Sequence, residues 1–89
     1  MIEREVTIIN KLGLHARAAS RLVNCASSHA AQVWLKRDDR EINGKSIMGV
    51  LTLAAGKGTV LLIRTEGDDE LTAMENLVAL ITDRFGEND

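Results

Sequence analysis

Apolar positions along the 89-residue chain recur with two spacings, alternate residues in some stretches and every third or fourth residue in others. Glu3–Ile9 is rich in β-branched residues, and Val6 and Ile8 share a face, so this stretch predicts a strand. Asn10–Gly13 supplies turn chemistry. From Ala16 the spacing is helical: Ala16, Ala19, Leu22, Val23 and Ala26 form the apolar set, while Arg17, Ser20, Arg21 and Asn24 lie elsewhere. Val33–Lys36 reads as a second strand, Arg37–Arg40 as a hairpin turn and Glu41–Asn43 as a third strand ending at Gly44. A short helix is expected from Ser46 to Ala54, with Ser46 as its N-cap. Gly56-Lys57-Gly58 breaks it, and Thr59–Thr65 is the strongest strand candidate. Gly67-Asp68-Asp69 opens a last helix with the stripe Met74, Leu77, Val78, Ile81 and Phe85, and Gly86 stands where a C-cap glycine would.

The expected order is βαββαβα, four strands and three helices. Half-polar strands imply an antiparallel sheet with three helices on one face and solvent on the other. This is an open-faced β-sandwich of the α/β (α+β) class. Without a linker or low-complexity stretch, residues 1–89 are expected to form a single domain.

Composition mainly removes options. A domain this small buries roughly 60–65% of its unfolded surface, enough for one core but not for a deep cleft. A formal net charge of −2 gives no general attraction to nucleic acid or to an anionic membrane. Trp34 and Phe85 are too few aromatics for a base-stacking platform. The lone Cys25 excludes an intramolecular disulfide, and no basic-then-apolar start or long apolar run marks a signal peptide or membrane span. A reduced, cytoplasmic, monomeric domain without membrane insertion is expected.

The chemistry concentrates in two places. In Leu12-Gly13-Leu14-His15-Ala16-Arg17, His15 falls where the turn meets the first helix. Amides of a first helical turn lack intrahelical partners, and the helix dipole adds positive potential, so an anion at His15 would be stabilised there. Arg17 adds a full charge. The same field disfavours imidazolium and leaves a ring nitrogen available as a nucleophile. Position alone favours a plain capping or surface histidine over a nucleophile. The second place is Asn43-Gly44-Lys45-Ser46-Ile47-Met48-Gly49. Here Ser46 reads first as a cap, but the helix after it is apolar almost all round. Val50, Leu53 and Ala54 suit the core, leaving Ile47, Met48 and Leu51 for a partner.

Other motifs fail. Gly44-Lys45-Ser46 lacks the earlier P-loop glycine, whose place holds Asp39, and Gly56-Lys57-Gly58 lacks both that glycine (Leu51 stands there) and the following Ser or Thr. His29 has no partners at metal-ligand spacing, so no metal or other cofactor is expected. Cys25 suits an apolar filler, Trp34 a sheet face, and Asp68, Asp69 and Glu70 a helix start.

Across its length the chain resembles HPr, the histidine-containing phosphocarrier family of the bacterial phosphoenolpyruvate-dependent phosphotransferase system. The likeness is carried by Gly13-Leu14-His15-Ala16-Arg17 and Lys45-Ser46-Ile47-Met48-Gly49-Val50 at this separation. It implies that His15 is phosphorylated on Nδ1 by enzyme I, with Arg17 as charge partner, and donates to enzyme IIA domains. It also implies that Ser46 is phosphorylated by HPr kinase/phosphorylase, and that partners dock on Ile47, Met48 and Leu51, with Ser20 and Arg21 counted among the docking residues. Such a protein is a phosphoryl carrier rather than a stand-alone enzyme. A nitrogen-related paralogue shares the histidine motif, and a binding module controlled by Ser46 alone would need no transfer at His15. The family's usual His-Ala-Arg-Pro reads His15-Ala16-Arg17-Ala18 here, which keeps the helix but bears on positioning at His15.

Overall fold

Strict alternation in one strand organises the molecule, a computed structural model that describes residues Met1–Asn88. In that strand, β4 (Val60–Glu66), Leu61, Ile63 and Thr65 are buried while Leu62 and Arg64 sit half-buried on the opposite face. β1 (Ile2–Thr7) pairs with it on one side, Val6 opposite Leu61. β2 (Gln32–Arg37) pairs on the other side, Leu35 opposite Ile63. β3 (Arg40–Asn43) adds to β2 through a tight turn, with Asp38 at φ 55°. All pairs are antiparallel, in the order β1-β4-β2-β3. Because β4 enters between β1 and β2, the βαβ unit joined by α1 (Ala16–Ser27) is split.

Three helices cover the buried face, as the open-faced sandwich requires. α1 presents Ala18, Ala19, Leu22 and Ala26, and α3 (Glu70–Thr82) presents Ala73, Met74, Leu77 and Ile81. Between them and the sheet lie Ile8, Val33, Leu35, Leu61 and Ile63, all essentially without exposure. α2 (Ile47–Thr52) packs against α1 and β3 through Val50. The buried hydroxyl of Thr65 is matched, donating to the Glu70 carbonyl at 2.9 Å. On the open sheet face Trp34 lies under the Arg64 guanidinium, 5.6 Å from ring centroid to Cζ. No helix among the described residues is long and apolar enough to cross a membrane.

The element order matches expectation, while several boundaries and faces differ. β1 begins at Ile2 and ends at Thr7, one to two residues displaced. On α1, Ala16 is exposed and Ala18 has no exposure at all. At about 100° per residue, positions 18, 19, 22 and 26 share one narrow arc and position 16 falls well outside it. α2 stops at Thr52, and Ala54, expected in the core, is exposed at φ 51°. α3 stops at Thr82, so Phe85 is not on its stripe and Gly86 does not cap it. A 3-10 turn at Arg84–Gly86 carries Phe85 into the core instead, with Arg84, Phe85 and Gly86 at φ 54°, 55° and 78°.

In that turn two non-glycine residues with left-handed backbone, Arg84 and Phe85, follow one another. A non-glycine residue in the left-handed region costs about 1–2 kcal/mol, so two cost about 2–4. Burying a Phe ring returns about 1.5–3 kcal/mol, and a hydrogen bond to a charged group about 1.5–3. Phe85 supplies the first with no exposure, and Arg21 the second by donating from Nη1 to the Phe85 carbonyl. The ring is therefore what holds the reversal closed. Phe85→Ala is expected to lower unfolding free energy by about 3–5 kcal/mol in urea titration.

Candidate functional site

The loop before α1 is built to thrust His15 outward. Ile8 extends the edge pairing past β1, accepting from Gly58 N–H at 2.7 Å and donating to the Thr59 carbonyl at 2.9 Å. The chain then turns, Gly13 N–H donating to the Asn10 carbonyl at 3.2 Å. Gly13 has φ +66°, and a Cβ there would lie 2.5 Å from the Ala55 carbonyl oxygen and 2.7 Å from Gly56 Cα. Only glycine fits on both counts. Leu14 is buried and its N–H donates to the same Ala55 carbonyl at 2.9 Å. The next residue, His15, is thereby lifted to the surface as the N-cap of α1.

His15 has extended backbone (φ −72°, ψ 176°), and its side chain caps nothing in the helix. The helical ladder begins with Ala19 N–H on the His15 carbonyl at 2.8 Å, so the Ala16, Arg17 and Ala18 amides precede it. The first turn carries no acidic residue. An anion beside His15 would therefore meet amide donors and the positive end of a twelve-residue helix. His15, Lys11, Leu12, Ala16, Arg17, Glu87 and Asn88 line an open depression of about 670 Å³. Arg17 and His15 both line this depression.

Glu87 is the site residue that sequence reasoning missed. Its Oε2 contacts His15 Nε2, and its Oε1 accepts from Asn10 Nδ2 at 3.0 Å. Asn10, expected only to form a turn, is wholly buried and also donates from Nδ2 to the Gly13 carbonyl at 2.8 Å. One amide group thus ties the loop to the C-terminal segment. The signal available in the sequence was weak: a lone acid, Glu87, directly after the expected helix-ending Gly86.

The second candidate region is separate from this contact network. Ser46 caps α2, its Oγ accepting from Gly49 N–H at 3.2 Å. Beyond it Ile47, Met48 and Leu51 are exposed (37%, 67% and 36%), and Leu12 beside His15 is as exposed as Met48. Ser20 and Arg21 lie on the exposed side of α1, with one Arg21 nitrogen engaged by the Phe85 carbonyl. His29 is tied to Asn76 Nδ2 and to the Cys25 carbonyl, and burial pushes the Cys25 thiol above its ordinary value, so neither group is poised for chemistry. No cluster of three metal-ligating side chains occurs among the described residues.

A family model described as PTS HPr component phosphorylation site matches residues 2–83. The chain is 51% identical to the phosphocarrier protein HPr of Cupriavidus necator over 89 residues, covering all of both chains. It superposes on the crystal structure of HPr-C-His from Thermoanaerobacter tengcongensis with a TM-score of 0.97 at 44% identity, again covering both chains fully. An HPr dimer structure from the same organism matches with a TM-score of 0.79 at 45% identity, over 98% of this chain and 100% of that one.

The His15 and Asn10 hydrogen bonds, in that order, hold the Glu87 carboxyl below the usual carboxylate range. A depressed acid stabilises the fold fully above its unfolded value, about 4.3 for Glu, and loses that contribution as pH falls through its lower folded value. The C-terminal contact is therefore expected to persist through neutral pH and to release only in acid below about pH 4. Carboxyl carbon NMR shifts of Glu87 followed with pH check this, and a midpoint at or above the ordinary glutamate value would contradict it.

Proposed function

The chain belongs to the HPr family, the histidine-containing phosphocarriers of the phosphoenolpyruvate-dependent phosphotransferase system, and we propose that its phosphoryl acceptor is His15. Enzyme I supplies the group and enzyme IIA domains receive it. The observation that carries this reading is the placement of His15: an N-cap ring that caps nothing, beside a helix start with no acid and with Arg17 at its rim.

The chemistry asks little of so small a protein. A ring nitrogen attacks phosphorus in line, and the incoming charge meets the first-turn amides and the Arg17 guanidinium. The partner enzyme supplies the remaining machinery. We read Ile47, Met48 and Leu51, with Ser20 and Arg21, as the docking surface on which partners position that machinery. Ser46 is the proposed target of HPr kinase/phosphorylase. A phosphate there adds close to two negative charges next to Ile47 and Met48, at a helix start that tolerates an anion, so it opposes docking rather than folding. The 1–89 chain acts as one cytoplasmic domain, and a monomer is the simplest working state.

Incubation with phosphoenolpyruvate, magnesium and enzyme I, followed by intact-mass measurement, is expected to add one acid-labile phosphoryl group to wild type and none to His15→Ala. A folded wild type left unmodified by a competent enzyme I would overturn the carrier reading in favour of a Ser46-controlled binding module. Ser46→Asp, which keeps an N-cap acceptor, is expected to change stability by less than about 1 kcal/mol and to slow phosphorylation by enzyme I about tenfold or more. Stability is checked in urea and the rate by quenched-flow mass measurement.

A further inference from the structure

Period-two alternation along β2 puts Arg37 on the face of the buried Val33 and Leu35, at the last position of the strand. A half-buried cation needs a partner, and among the described residues the guanidinium makes no ion pair. It reaches the end of α2 instead. Arg37 Nη1 donates to the Leu53 carbonyl at 2.7 Å and to the Ala54 carbonyl at 2.9 Å. The last turn of α2 has no basic residue, so the charge that its terminal carbonyls favour comes from another element.

Ala54 is the weak point of this segment. Its backbone is left-handed at φ 51° and its methyl group is exposed, whereas Leu53 and Ala55 are buried on either side. No packing of its own fixes Ala54, and the Arg37 hydrogen bond takes that place. The next carbonyl is the one that clamps the His15 loop. Ala55 accepts the Leu14 N–H at 2.9 Å and lies against Gly13. A continuous path therefore runs from Arg37 through Ala54 and Ala55 to Leu14 and His15.

We propose that Arg37 is a positioning residue that fixes the register between the docking surface on α2 and the His15 ring. The proposal rests on the reading of His15 as the phosphoryl acceptor and of Ile47, Met48 and Leu51 as docking residues. Ser20 and Arg21 ride on the helix that His15 caps, so covalent continuity fixes their distance to the ring. The α2 residues have no such continuity. They are tied to the ring by the packing of Val50 and by the path that Arg37 holds. A partner seated on α2 finds His15 in line only while the helix and the loop move as one body. A misplacement of about 1 Å can slow such a step about a hundredfold. Without Arg37 the left-handed Ala54 relaxes, and the Ala55 carbonyl shifts with it. No bond of the transfer passes through Arg37, so its effect falls on transfer inside the docked complex.

The test uses the full chain and Arg37→Met, which keeps an apolar stem and removes the donor, with Arg37→Lys restoring an ammonium donor. In Arg37→Met the Leu14 amide is expected to exchange with solvent about tenfold faster, while the Leu61 and Ile63 amides of β4 exchange as in wild type. Single-turnover transfer from saturating phosphorylated enzyme I is expected to slow about tenfold, with the half-saturating concentration within about twofold of wild type. Arg37→Lys is expected to lie between the two. Phosphoramidate, a small donor that needs no docking, is expected to modify His15 equally fast in all three proteins. Unchanged Leu14 exchange or an unchanged saturated rate in folded Arg37→Met would overturn the proposal. So would an Arg37→Lys protein as slow as Arg37→Met, or equal slowing with phosphoramidate, which would place the effect on the ring itself. Arg37→Gln carries the same test if Arg37→Met does not fold. Failure of wild-type His15 to accept a phosphoryl group from enzyme I would instead overturn the carrier reading.

Discussion

Everything at the site depends on the close approach of Gly13 to the Ala55–Gly56 backbone. With 2.5 Å between a would-be Cβ and the Ala55 oxygen, the two backbones approach too closely for any side chain at position 13, and the Leu14 N–H is bonded to the same carbonyl. The first residue beyond this clamp is His15, so its exposure follows from backbone geometry rather than from its own packing. Any larger residue at position 13 would carry a left-handed penalty of about 1–2 kcal/mol and a backbone clash besides. The His15 ring and the Ala55–Gly56 loop would then separate together.

The C-terminal segment meets that loop from the other side. Phe85 enters the core through a left-handed reversal, and its burial together with the Arg21 hydrogen bond offsets the strain of the turn. Asn10 completes the junction by bonding both Gly13 and Glu87 from a single nitrogen. Its own Oδ1 is buried with no hydrogen-bond partner among the described residues.

Small size shapes the division of labour. The fold provides one shallow depression at His15 and one short, apolar, exposed helix at Ile47–Thr52, and neither encloses a substrate. Under the proposed carrier role such openness is an advantage, because a water-excluding surface is completed only when a partner docks. The Glu87 contact is the one that the C-terminal segment makes with the His15 ring.

Local patterning was enough to read the element order, the open sheet, the Ser46 cap and the coincidence of His15 with the start of α1, because each depends on residues near in sequence. Helix faces and ends were less legible. Ala16 and Ala18 are chemically identical, and only the packing of α1 on the sheet decides that the second is buried. Likewise Phe85 fits a helical stripe by spacing, yet reaches the core by leaving the helix. The pairing of Glu87 with His15 and with Asn10 joins segments more than seventy residues apart. No periodicity reports such a pairing. The sequence by itself determined which ring would stand at a helix start, and the tertiary structure alone decided which carboxylate would meet it, because that contact depends on Phe85 carrying the C-terminal segment back onto the core.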